Sequence, residues 1–341
     1  MIEHLRTLAA GRRLDEDGAA AAMGTILSGT ADPVRVAGFA LALAARGETV
    51  DELVGLVRAV RAAAVPLAVG GDVLDTCGTG GDGSGTFNIS TAAAIVTAAC
   101  GVPVAKHGNR AASSTCGSAD VLEEMGVCID LDPAAAAACL QESGITFLFA
   151  PLYHPGLANV APVRRALGVR TAFNLLGPLV NPAGAAYQVL GVAEARLVEP
   201  LAETLARLGT RRATVFHSAD GMDELSTSAP ARVVEVVHGE TRPSSFDPAE
   251  VGLDPAPSGA LLGGSRSENA RMVRDVLDGV PGPAADVVVL NAAAGLRVSG
   301  RVNTWADGLA AARETLTTGR ARALLDRWVA VSSQDRVGGL A

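Results

Sequence analysis

The sequence predicts an α/β fold in which a small all-helical part precedes a larger part built on a mostly parallel sheet. Three observations predict it. The stretch before Pro66 carries only helical period and helix punctuation. From Val73 onward, short apolar runs alternate with helical stretches, and a glycine-rich loop follows the first of those runs. Such alternation implies a parallel sheet covered on both faces, with ligands at the carboxyl ends of the strands.

In the helical part, Asp32-Pro33 reads as an N-cap followed by proline at the first helical position, and Gly47 closes that helix. Thr49 with Glu52 is a capping box for the next helix. Val73-Leu74-Asp75 then enters the glycine loop, Ser90 to Cys100 is a helix ended by Gly101, and Val102 to Ala105 is a second strand. Asp132-Pro133 caps a helix stopped by Gly144, and Ile145 to Ala150 is a buried strand. Further strands are expected at Tyr187 to Val192, Ala213 to Phe216 and Val287 to Leu290. Arg232 to Arg242 reads as a hairpin turning at His238-Gly239, Ser265 with Glu268 as another capping box, and a helix is expected from near Pro155.

The 341 residues are 49% hydrophobic and only 3% aromatic, which suits a large core of closely packed helices. A net charge of −8 opposes a nucleic-acid surface, because phosphate neutralisation needs a clustered positive field. The apolar run from Val36 stops at Arg46, short of the ~20 residues that cross a bilayer. The N-terminus does not read as a secretory signal. Cysteines 77, 100, 116, 128 and 139 are odd in number and lack a C-x-x-C pair, which predicts reduced thiols in a cytoplasmic protein.

Gly78-Thr79-Gly80-Gly81-Asp82-Gly83 lets backbone N–H groups approach phosphate oxygens, and Asn88, Ser90 and Thr91 add donors at the following helix N-terminus. The run formally matches G-x-G-x-x-G. A dinucleotide site would open its helix directly and place an acidic residue at the end of the next strand, where Lys106-His107 stands instead. A P-loop fails because Ser84 replaces the lysine. Lys106 through Ser114 forms a second anion cradle of cations, an amide and hydroxyls, against the plainer alternative of a solvated loop.

Asp223-Glu224 follows a strand and offers hard oxygen ligands for magnesium. Alone such a pair is usually a solvated loop; beside two phosphate-type loops it suits a diphosphate leaving group. Arg164-Arg165 can fork onto a carboxylate, although a surface pair is the commoner meaning, and His154 is a further lining candidate. No general base stands out, so none is assigned.

With these segments, Phe173-Asn174-Leu175-Leu176-Gly177-Pro178-Leu179 and Asp223-Glu224-Leu225-Ser226-Thr227, the chain resembles the anthranilate phosphoribosyltransferases of tryptophan biosynthesis along essentially its whole length. The resemblance implies a nucleoside-phosphorylase-like phosphoribosyltransferase fold. Residues 1–68 would form the helical domain, rejoined by about 160–185, and 69–159 with 186–335 the α/β domain. It also implies a homodimer formed through the helical part. Gly78, Gly81, Asp82, Thr86, Asn88, Ile89, Ser90 and Thr91 would contact phosphoribosyl diphosphate. Lys106, His107, Gly108, Asn109, Arg110, Ala111, Ala112, Ser113, Ser114 and Ser118 would continue that cradle. Ser90, Asp223 and Glu224 would serve Mg2+, and Gly78, Asn109 and Arg164, with His154, the anthranilate.

The implied reaction is attack of the aromatic amine on the anomeric carbon, with diphosphate leaving. The chain departs from the family at Thr115 and Cys116, where lysine and serine are usual, and at Leu152 and Ala158-Asn159, where basic or histidine residues are common. These departures motivate a second reading, a paralogous transferase using another aromatic or heterocyclic amine. A pyrimidine nucleoside phosphorylase is a third, less favoured because Lys106 to Ser114 and Asp223-Glu224 suit a diphosphate donor.

Overall fold

The computed structural model describes residues 1–111, 115–257 and 259–338. Four helices come first: α1 (Ile2–Ala9), α2 (Glu16–Leu27), α3 (Pro33–Arg46) and α4 (Val50–Ala62). Asp32 caps α3 by accepting from the Val34 N–H, and the Thr49–Glu52 capping box opens α4. Glu52 is fully buried because the guanidinium of Arg46 and the N–H of Leu14 also meet its carboxylate, at 2.6 and 3.0 Å.

The strands are β1 (Leu74–Gly78), β2 (Val104–Gly108), β3 (Ile145–Phe149), β4 (Tyr187–Gly191), β5 (Arg212–Ser218), β6 (Ala231–Val237) and β7 (Glu240–Phe246). They form one sheet in the order β3-β2-β1-β4-β5-β6-β7. The first five run parallel, and β6 and β7 extend the edge antiparallel. The β6–β7 turn falls at His238-Gly239, both at positive φ (49° and 86°), as a tight hairpin requires.

The remaining helices are α5 (Ile89–Ala99), α6 (Ser118–Glu124), α7 (Pro133–Ser143), α8 (Ala150–Tyr153), α9 (Ala161–Leu167), α10 (Ala172–Leu176), α11 (Val198–Arg207), α12 (Arg266–Leu277), α13 (Pro283–Val298), α14 (Trp305–Thr317) and α15 (Arg320–Gly338). Side-chain alternation along the strands feeds two cores. On β4, Val189 joins the core with α5, α13 and α15, whereas Leu190 joins the core that contains the N-terminal helices and α11. Val160, Val163, Phe173 and Leu176 lie in that second core, so α9 and α10 pack with α3 and α4. Arg61 of α4 fixes this return by donating twice to the Leu179 carbonyl, at 3.0 and 2.7 Å.

Local expectations change in three places. Val287 to Leu290 is not a strand but part of α13, the helix opened by Gly282-Pro283. Residues 287–296 of that helix are all buried, so the apolar run has no polar face to reveal a helical period. The helix expected from Pro155 is a short 3-10 turn, Pro155–Asn159, and the α-helix itself begins at Ala161. The second strand lies two residues later than expected, at Val104–Gly108, which carries Lys106 and His107 on the strand itself.

Candidate functional site

The carboxyl ends of β1, β2 and β4 converge on one cleft. Gly78 and Gly191 are direct partners across β1 and β4. A Cβ on Gly78 would strike the Asp223 carboxylate, and one on Gly191 the Asp223 carbonyl oxygen. The paired glycines therefore make the slot that admits residue 223. The glycine loop is bolted over it: Thr79 donates its N–H to the Gly191 carbonyl at 3.0 Å, and its Oγ1 accepts from Ala193 at 3.0 Å.

The loop and the acidic pair interlock. The Gly80 N–H donates to Asp223 Oδ2 at 2.6 Å, and the Asp223 N–H donates to Asp82 Oδ2 at 3.2 Å. Glu224 is only partly covered as a residue, but its carboxylate faces inward and accepts from the Ser90 N–H at 3.1 Å. Burial, reinforced by Asp82 beside Asp223 and by Asp223 beside Glu224, pushes both carboxyls well above the ordinary carboxylate range. A divalent cation held by these carboxylates would supply the missing positive charge, so the residues present fit magnesium. Asn291 of α13 fixes the same loop, accepting from Leu225 N–H and donating to its carbonyl, both at 3.0 Å.

Lys106 is 2% exposed and reaches the same end of the cleft. Its Nζ donates to the Thr76 carbonyl at 2.5 Å and lies 3.5 Å from Ser90 Oγ. Burial pushes the nearby Asp75 carboxyl up to about 6, opposed by the Lys106 charge. Asn88 bridges elements by donating to the Cys116 carbonyl at 3.1 Å and accepting from Asn269 of α12 at 3.0 Å. Thr86 pairs with Leu262 as an isolated bridge, and Ile89 and Thr91 are buried in the first turn of α5. Ser118 opens α6, its Oγ 3.4 Å from the Asn109 carbonyl.

Strand alternation turns His107 to the opposite side from Lys106. Its Nδ1 donates to the Gly177 carbonyl at 3.1 Å, and its ring lies edge-on to His154 at 5.1 Å. Arg110 is occupied: it pairs with Asp120 at 3.1 Å and Glu123 at 2.8 Å, and stacks over Phe149. Asn109 accepts from the Arg110 N–H at 2.7 Å. Ala112, Ser113 and Ser114 lie outside the described residues. Arg164 of α9 is exposed and forms no ion pair among the described residues. Of the departures from the family pattern, Asn159 donates to the Leu27 carbonyl at the end of α2 at 3.0 Å, and Leu152 is 43% exposed on α8.

Sequence reasoning missed Arg170. It lies between α9 and α10, donates to the Gly80 carbonyl at 2.5 Å, and occupies the space a Gly81 side chain would need. It lies close enough for its charge to act on both Asp223 and Arg164. Only the odd spacing of Arg170 from the Arg164-Arg165 pair marks it in the sequence, and that is no signal.

Burial pushes His107 down to about 3 and His154 to about 4, and each is neutral at pH 7. In the unfolded chain both titrate near ~6.5. Below that value the unfolded state takes up protons that the folded state refuses, so stability falls as pH drops from about 6.5 toward about 4. Urea midpoints measured from about pH 7 to about pH 5 should fall less steeply in His154→Gln than in the parent. Equal slopes would remove this contribution.

The helical stretch, residues 2–64, matches the model of the glycosyl transferase family helical bundle domain, and residues 70–322 match that of the family's a/b domain. An anthranilate phosphoribosyltransferase 2 of Streptomyces coelicolor is 59% identical over 95% of this chain and 97% of its own. An anthranilate phosphoribosyltransferase of Thermomicrobium roseum is 51% identical over 96% of each. Among solved structures, the Thermus thermophilus anthranilate phosphoribosyltransferase superposes with a TM-score of 0.92 at 48% identity, over 97% of this chain and 99% of that one. The Saccharomyces cerevisiae enzyme in complex with PRPP and Mg gives 0.90 at 25% identity, over 97% of each chain. With two-lobed architecture, matched segments and near-full-length identity in agreement, this chain belongs to the anthranilate phosphoribosyltransferase family.

Proposed function

We propose that the cleft between β1, β2 and β4 divides the family's reaction between two sets of residues. The reaction is transfer of the phosphoribosyl group from 5-phosphoribosyl 1-diphosphate to the amine of anthranilate, releasing diphosphate, in tryptophan biosynthesis. In the donor set, the amides of Gly78, Gly81 and Asp82 with Thr86, Asn88, Ile89, Ser90 and Thr91 receive the phosphates. Lys106 and the segment through Ser118 continue that cradle. Asp223, Glu224 and Ser90 would hold Mg2+, which when bound would neutralise charge on the diphosphate. The observation that carries this reading is the adjacent carboxylate pair, Asp223 held to the glycine loop by the Gly80 N–H and Glu224 to the start of α5 by the Ser90 N–H.

In the acceptor set, Arg164 takes the carboxylate of anthranilate and so aims the amine, with Gly78, Asn109 and His154 around the ring. The transition state is oxocarbenium-like, so these groups act by positioning and by stabilising the leaving diphosphate. No side chain is assigned as general base. The observation favouring Arg164 is its exposed guanidinium without an ion pair among the described residues, beside Arg170.

Loss of anthranilate fluorescence on adding phosphoribosyl diphosphate and magnesium tests the reaction; no loss with anthranilate but turnover of another amine would reassign the acceptor. Arg164→Ala should raise the KM for anthranilate about 10- to 100-fold with the donor KM unchanged, as loss of a charge-assisted contact predicts. Equal changes in both KM values would sink the assignment.

Residues 1–68 with about 160–185 form the helical domain in this reading, and a homodimer forms through it. The support is apolar exposure on two helices that pack together: Ile2 of α1 is 43% exposed, and Val34 and Leu41 of α3 are 79% and 43% exposed. Light scattering should give twice the monomer mass, and Val34→Asp should halve it; a monomeric parent would end the proposal. No described helix is long and apolar enough to cross a membrane. All five cysteines are free, which suits the cytoplasm, where we place the enzyme.

A further inference from the structure

Behind the ligand-facing surface, one carboxylate ties together the two described ends of the anion segment. Asp120 lies in the first turn of α6 and is 2% exposed. Its Oδ2 accepts from the N–H of Ala111 at 3.0 Å and from that of Gly117 at 2.9 Å. Its Oδ1 meets Arg110 Nη1 at 3.1 Å and Arg266 Nη2 at 2.8 Å. Burial alone would raise this carboxyl, but the amides of Ala111 and Gly117 and the Arg110 guanidinium hold it below the usual range.

Gly117 explains how the two ends come so close. A Cβ there would strike the Ala111 nitrogen and lie 2.6 Å from the Arg110 carbonyl carbon. The support continues into α12, which carries both Arg266 and Asn269. Asn269 donates to Asn88 at 3.0 Å, and Asn88 donates to the Cys116 carbonyl at 3.1 Å, so the same helix steadies the start of α5. Arg110 has its charge met by Asp120 and by both oxygens of Glu123, at 2.8 and 3.0 Å.

We propose that Asp120 is a positioning residue for donor binding: it fixes the neck at residues 111 and 117, so that Lys106 and main-chain groups, rather than the Arg110 guanidinium, meet the donor's phosphates. This rests on the donor reading of the cleft given above. Asp120→Asn keeps the shape but sets an NH2 group against N–H donors. It should raise the KM for phosphoribosyl diphosphate about tenfold and leave the KM for anthranilate and kcat at saturation within about twofold. Arg110→Gln should have a smaller effect on donor KM, and the double variant should match Asp120→Asn alone, because the two act through one contact.

An unchanged donor KM in Asp120→Asn, or a loss confined to kcat, would overturn the role. Should Asp120→Asn fail to fold, Arg266→Gln, at a half-exposed side chain, carries the test; it should raise donor KM alone, and no rise would overturn the proposal. Thr86→Ala separates the two layers. If it too leaves donor KM unchanged, the donor site itself is misplaced; if it raises donor KM while Asp120→Asn does not, only the positioning role falls.

Discussion

Replacing Asp223 and Glu224 together by alanine is expected to lower turnover at saturating substrates by about 10²- to 10³-fold, the usual consequence of removing stabilisation from a developing charge. Two carboxylates in this setting are costly to the folded protein without a cation. Burial holds both carboxyls above the ordinary range, with Asp82 repelling Asp223 and Asp223 repelling Glu224. Alanine removes that repulsion, so the metal-free double variant should melt no lower than the parent while losing its response to magnesium. Thermal melts with and without magnesium, beside turnover against magnesium concentration, give both readouts. A variant whose magnesium dependence matches the parent's would show that the metal is held elsewhere.

The second large effect is expected from a single methyl group. Gly191→Ala places a Cβ against the Asp223 carbonyl oxygen, a backbone atom that cannot swing away as a side chain would. Either β4 or the loop after β5 must shift, at a cost of about 1–3 kcal/mol for overpacking. The shift displaces Asp223 from the Gly80 N–H, so activity should fall together with Tm. Gly70→Ala, with no atom within 4 Å of the added carbon, is the control and should leave both unchanged. A Gly191→Ala enzyme with parental activity would mean that the slot tolerates movement and that Asp223 is not held by it.

The parts of this fold legible in the sequence are those set by neighbours along the chain. Asp32, Thr49, Asp132 and Ser265 cap helices as expected, because a cap bonds to amides two or three residues away. The His238-Gly239 turn is legible for the same reason. The segment 287–290 misleads because a helix buried on every side loses the polar face that marks its period.

At the site, the glycine loop, Lys106 and Asp223-Glu224 announce themselves by composition. Their interlocking does not. That Gly191 faces Gly78 across two strands, that Arg170 reaches Gly80, and that Asn291 grips Leu225 are facts of chain crossing, and no local spacing encodes them. The departure at Asn159 is legible in the sequence, but the bond of its amide to the last carbonyl of α2 is not.

Arg61's double grip on the Leu179 carbonyl has a consequence for how the two substrates meet. It ties α4 to the chain that follows α10, so the stretch carrying Arg164 is seated on the helical part, while Arg170 of that stretch reaches across to Gly80 of the glycine loop. With Arg164 holding the acceptor as proposed, the gap between amine and anomeric carbon would follow the seating of that stretch, as the span of calipers is governed at the pivot. Substitutions at the pivot can thus detune the reaction with every ligand-touching side chain left in place.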